Sequence, residues 1–182
     1  MIIHEGGNVF KDAQGVPRTQ RINLADIAPT VKWLEAVTGL PLSDNMLGST
    51  GLKPTSGDLD LAVDSTQVQK DQLFDQLSNY VKQYGQDPRD WVRKTGTSVH
   101  FLTPIRGRAD TGFVQTDFMF LPKPEFSKFI LRQDMNSEYK GATRNVLINS
   151  IAKSLGYKLN QLAGIADRAT DKIISDDPDR IA

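Results

Sequence analysis

Cysteine is missing altogether from the 182 residues, which excludes a disulfide scaffold, a thiolate nucleophile and any Cys-ligated zinc site. Histidine is nearly missing. His4 and His100 are its two instances, too far apart in the chain to suggest a multi-His centre, so any metal here must sit on oxygen. Neither sign of charge is in excess, with 22 Lys+Arg against 22 Asp+Glu. That balance argues against a strongly basic nucleic-acid coat or an acidic tail and leaves room for a local positive groove. No apolar run approaches the roughly 18 residues of a membrane helix, and residues 1–7 lack the basic and apolar regions of a signal peptide. The expectation is a cytoplasmic protein without a membrane partner. Its length fits one domain, or a core with a small appendage.

Residues 1–22 are polar, rich in turn formers and without a sustained period, and read as an N-terminal arm. From Asp26, the residues Ile27, Val31, Leu34 and Val37 recur at helical spacing until Gly39 and Pro41 close the segment. After Met46-Leu47 and a Gly48-Ser49 turn, Asp58-Leu59-Asp60-Leu61-Ala62-Val63-Asp64 alternates acidic and apolar residues as a two-faced strand does. Ser65-Thr66 precedes a second amphipathic helix, from about Gln67 to Tyr84. Two strand-like runs, Ser98 to Leu102 and Gly112 to Leu121, flank a basic connection that holds Arg106 and Arg108. The remainder reads as helical, with Phe126, Phe129 and Ile130 in one segment and Val146, Leu147, Ile151 and Leu155 in the next. Residues 23–125 are thus read as a catalytic core and 126–182 as a C-terminal helical segment. Its last residues, Ser175 to Ala182, look like a helix cap cut short, as in a truncated or processed chain.

Three carboxylates stand out. Asp58 and Asp60 are two apart on one strand, so they share a face while Leu59 and Leu61 point into the core. Asp117 lies in Phe113 to Leu121, the most hydrophobic strand of the chain. If pairing brings the three together, their mutual repulsion makes sense when divalent cations neutralise them, and oxygen-only ligation points to Mg²⁺ or Mn²⁺. A Gly-Ser turn lets backbone amides and a small hydroxyl approach a phosphate closely. A phosphate-gripping turn beside paired carboxylates suits two-metal nucleotidyl transfer. Against that stands the plainer reading of a D-x-D as a solvent-facing strand edge.

Gly48-Ser49 followed by Ser56-Gly57-Asp58-Leu59-Asp60-Leu61 resembles the signature of the DNA polymerase beta superfamily of nucleotidyltransferases. Thr116-Asp117-Phe118-Met119-Phe120-Leu121-Pro122 is similar to the strand that carries the third carboxylate in family X DNA polymerases. Tyr139-Lys140-Gly141-Ala142, Asn145 and Gly156-Tyr157-Lys158-Leu159-Asn160 resemble the segment that follows there. The resemblance spans roughly residues 45–162. It implies a polymerase-beta-like α/β (α+β) fold, a small mixed sheet with helices packed on one face. It also implies transfer of a nucleoside monophosphate from an NTP or dNTP to an acceptor hydroxyl, with release of pyrophosphate.

By the same resemblance, Asp58 and Asp60 would bridge two Mg²⁺ or Mn²⁺ ions, and Asp117 would bind the catalytic one and help deprotonate the acceptor. Gly48 and Ser49 would hold the β,γ-phosphates with Lys53 as charge partner. Asn145 would approach the base or sugar, and Tyr139 with Gly141 would shape the sugar pocket. The chain departs from the family in three ways: too few residues precede Gly48 for the helix-hairpin-helix DNA-binding domains, Lys140 replaces an aromatic, and Lys53 stands where an Arg is usual. A templated polymerase is therefore not expected. The acceptor is left open between a polynucleotide or tRNA end, a protein and a small molecule. Similarity to phage nucleotidyltransferases implies a viral origin and the host cytoplasm. The rival reading is a catalytically idle nucleotide- or nucleic-acid-binding or assembly domain on the same fold.

Lesser candidates read more simply as structure. Arg106 and Arg108 read as exposed loop cations, His100 as a packed or hydrogen-bonded strand residue, and Trp33 and Trp91 as packing residues. A local excess of seven cations over three acids between residues 123 and 158 reads as a solvated helical face.

Overall fold

The computed structural model describes residues 8–132, 142–160 and 162–181. Residues 8–21 fold back on themselves, with a bridge between Lys11 and Pro17 and Phe10 buried. The first strand, β1 (Ile22–Asn23), leads directly into α1 (Leu24–Thr38), which ends where Gly39 adopts φ 73° and returns its N–H to the Glu35 carbonyl. β2 (Thr55–Ser56) pairs antiparallel with β1 and precedes β3 (Asp58–Asp64). Asp64 ends that strand by accepting bonds from the Thr66 N–H and hydroxyl and from Gln67. This turn delays α2 (Lys70–Gln83) past the Gln67 start expected from the apolar spacing.

β4 (Val92–Thr95), β5 (Ser98–Pro104) and β6 (Phe113–Leu121) complete a four-stranded sheet of order β3-β6-β5-β4. β3 and β6 run parallel, while β5 pairs antiparallel with both β4 and β6. The sheet is mixed, as expected. Its two faces follow from the period of two along each strand. Leu59, Leu61, Val63, Val99, Phe101, Val114, Phe118 and Phe120 share one core with Ile27, Val31 and Leu34 of α1 and Leu73, Leu77 and Val81 of α2. The opposite face carries Asp58, Asp60, His100, Gln115 and Asp117, with a smaller cluster of Leu47, Ala62 and Leu121. Burial of a large apolar side chain in such a core contributes about 1.5–3 kcal/mol, which sets the alternation firmly; on the core face Thr103 and Thr116 are buried as well and bond to each other through their hydroxyls at 2.6 Å.

Beyond the sheet, α3 (Pro124–Leu131) and α4 (Ala142–Ser154) agree with the helical reading of that region. Residues 157–175 do not. β7 (Tyr157–Asn160), β8 (Gly164–Asp167) and β9 (Ile173–Ser175) form an antiparallel three-stranded sheet. The turn between β8 and β9 is closed by Asp167, which accepts from the N–H groups of Ala169 and Thr170. Lys123 reaches Asp176, tying this small sheet to the end of β6. Ser175 to Arg180 contains a short 3₁₀ turn capped by Asp177. Among the described residues no helix is long and apolar enough to cross a membrane.

Candidate metal centre

Parallel pairing of β3 with β6 sets Asp60 opposite Asp117, with Asp58 opposite Gln115. Side chains of paired residues leave a sheet on the same face, so all three carboxylates converge. A ligand oxygen from each of Asp58, Asp60 and Asp117 lies within 4.8 Å of the others. Asp58 and Asp60 are half-buried and Asp117 is buried. Three like charges at this range oppose one another strongly, and a divalent cation held between them relieves that repulsion.

The turn at Gly48 is stitched to the same strand. Leu47 N–H donates to the Asp60 carbonyl at 2.8 Å, and Asp60 N–H donates to the Thr50 hydroxyl at 3.0 Å. Gly48 takes φ 54°, and a Cβ built there would stand 2.7 Å from Asp60 Oδ2. Glycine at this position thus leaves the space that the carboxylate occupies. The donor set fits a hard cation: oxygen only, from three carboxylates, in a cradle that a methyl group would fill.

Asp117 has two neighbours that sequence reasoning did not connect to it. His100 Nδ1 meets Asp117 Oδ1 at 2.7 Å, and the ring's Nε2 meets the Thr95 hydroxyl. Gln115 Nε2 donates to Asp117 Oδ1 at 2.9 Å and to Oδ2 at 3.2 Å. Gln115 is itself oriented by Val9, whose N–H donates to Oε1 at 2.9 Å. The register of β5 on β6 sets His100 opposite Asp117, a cross-strand fact that one strand's sequence does not contain. As expected for a strand histidine, His100 is buried and hydrogen-bonded.

Arg132 is the other residue that emerges from the fold. It follows α3 and forms a parallel bridge with Gly48, and its guanidinium donates to the Thr50 carbonyl at 2.7 Å. Burial pushes its pKa down, and no acidic partner for it is present among the described residues. A half-buried guanidinium beside the Gly48 turn is a suitable neighbour for an anion.

Other sequence candidates fall as follows. Ser49 and Lys53 are half-buried in the turn region, and Lys53 makes no ion pair among the described residues. Asn145 sits in the first turn of α4 with Oδ1 buried and without a hydrogen-bond partner. Tyr139 and Gly141 lie outside the described residues. Arg106 is bound to α1 through Asp26 and through its own N–H on the Thr30 hydroxyl. Arg108 is exposed, with Asp110 at 3.7 Å. Trp33 stacks on Phe101, and Trp91 meets Phe113 edge to face, so both are packing residues. A cleft of about 640 Å³ between α2 and β4, lined in part by Phe74, Lys82 and Arg93, does not include the carboxylates. No protein-family model matches the chain, and comparison with curated proteins returns no match.

Proposed function

We propose that the protein is a metal-dependent nucleotidyltransferase. The observation that carries this reading is the convergence of Asp58, Asp60 and Asp117 from two parallel strands beside a glycine turn that touches Asp60. The resemblance of those same residues to the polymerase beta superfamily supports it. Bound Mg²⁺ or Mn²⁺ would polarise the α-phosphate, favour ionisation of the acceptor hydroxyl and neutralise the leaving pyrophosphate. The three carboxylates supply the ligands. The Gly48-Ser49 turn offers amides and a hydroxyl to the β,γ-phosphates, with Lys53 as the nearest sequence cation. Asp117 accepts the proton of the acceptor hydroxyl. The acceptor oxygen then bonds to the α-phosphorus, the bond from that phosphorus to the bridging oxygen breaks, and pyrophosphate leaves with the electron pair. Asn145 is the candidate contact for the base or sugar of an NTP or dNTP.

The test is incubation with Mg²⁺, labelled NTPs and dNTPs, and a panel of acceptors: a polynucleotide, a tRNA, a protein and small alcohols. We expect one acceptor class to become labelled. Asp58→Ala and Asp117→Ala should reduce labelling to background while melting near the wild-type temperature. Normal turnover by either variant would overturn the assignment of roles.

A further inference from the structure

We infer that His100 is a positioning residue for the metal centre, one that holds Asp117 so that Oδ2 is the oxygen presented to the cation. This rests on the metal-binding reading of the three carboxylates. A carboxylate that ligates a cation can only accept hydrogen bonds, so with a metal bound the His100 nitrogen 2.7 Å from Asp117 Oδ1 is the one that must carry the hydrogen. Oδ1 also accepts the shorter of the two Gln115 bonds, at 2.9 Å, while among the described residues Oδ2 receives only the longer one, at 3.2 Å. The two donors therefore occupy Oδ1 and leave Oδ2 the less committed oxygen. The Thr95 hydroxyl on Nε2 prevents the ring from turning away. Both ring nitrogens are thus engaged, which removes His100 as a metal ligand and leaves it an orienting role. Residues 4 % and 5 % exposed are also well enough enclosed for that orientation to persist. Outer partners of this kind typically change metal affinity by about 10- to 100-fold.

The test needs no nucleotide and no turnover. Mn²⁺ is titrated into the full chain and followed by electron paramagnetic resonance, reading both the free-ion signal and the line shape of the bound ion. Wild type is compared with Asp117→Asn, His100→Leu, His100→Asn and Thr95→Val, with thermal melting as a fold control. Expected is weakening of about 10- to 100-fold in His100→Leu and an altered line shape. His100→Asn keeps an N–H close to the Nδ1 position and should recover to within a few-fold, while Thr95→Val should fall between. If His100→Leu does not fold, the pair Thr95→Val and His100→Asn decides: weakened affinity in the first at an unchanged melting temperature supports the role. Wild-type affinity and line shape in a folded His100→Leu, or in Thr95→Val when His100→Leu does not fold, would overturn the positioning role and leave the metal site standing. A folded wild type that binds no Mn²⁺ would overturn both.

Discussion

At the scale of single residues, the site depends on atoms that are absent as much as on those present. Gly48 illustrates this, since it combines a left-handed φ of 54° with an approach to Asp60 that no Cβ tolerates. Gly48→Ala should cost about 1–2 kcal/mol from the backbone alone, measured by denaturant unfolding. It should also displace the Asp60 carboxylate and weaken Mn²⁺ binding by about tenfold or more. Loss of stability with unchanged Mn²⁺ affinity would show that Asp60 does not need this space. The D-x-D pair was legible because alternation with Leu59 and Leu61 leaves Asp58 and Asp60 a common face. His100 and Gln115 were not legible as partners of Asp117. Their relation is one of register between strands and of rotamers within a packed face, and neither leaves a local pattern.

At the scale of elements, what could be read in advance tracks how one-sided each element's burial is. α1, β3 and β6 carry continuous apolar stripes and fall close to where periodicity places them. β4 buries Val92 alone, its other three residues being exposed, so no alternation announces it. β7, β8 and β9 span only four, four and three residues, too few for a period of two to stand out beside the helical pattern that precedes them. The 3₁₀ turn ahead of β4 has a clearer chemical signature. Asp87 accepts from the Arg89 N–H and pairs with its guanidinium.

Those contacts, the Arg89 side chain first, lower the Asp87 pKa from 3.8 to about 2. A carboxylate whose pKa is depressed on folding lends stability above its unfolded value and loses it as pH falls through the folded one. The melting-temperature deficit of Asp87→Asn should therefore be full at pH 6, shrink as pH falls through 3.8 and be gone only below about 2. A deficit independent of pH would show that the turn does not draw on this charge. Exposure of the pair to solvent keeps the effect small and sensitive to salt.

At the scale of the whole molecule, the mixed sheet separates two tasks. One face joins α1 and α2 in the main core, and the other carries the carboxylates with their supporting residues. α4 adds little burial to either. Val146, Leu147, Ile151 and Leu155 remain 42–66 % exposed while Ala152 is buried, so the apolar spacing that announced this helix does not correspond to a core-facing stripe. Residues 8–21 contribute more than their polar composition suggests, because Phe10 enters the interior and Val9 orients Gln115 beneath Asp117.

The parallel pairing of β3 with β6 has a consequence for how the molecule folds. Between Asp60 and Asp117 the chain runs through α2, β4 and β5, so theirs is a contact of long sequence separation, of the kind that closes slowly. An unfolded chain holds no such cluster, so an ion that binds there favours the native state by mass action, by about 2.7 kcal/mol at a hundred times its dissociation constant. Millimolar Mn²⁺ should accordingly raise the wild-type melting temperature, EDTA should reverse the rise, and Asp117→Asn should lack it. Equal shifts in wild type and Asp117→Asn would mean that the ion acts elsewhere. A shift confined to the wild type would mean that the chain gains its last increment of stability from its ligand, with the two parallel strands as the latch.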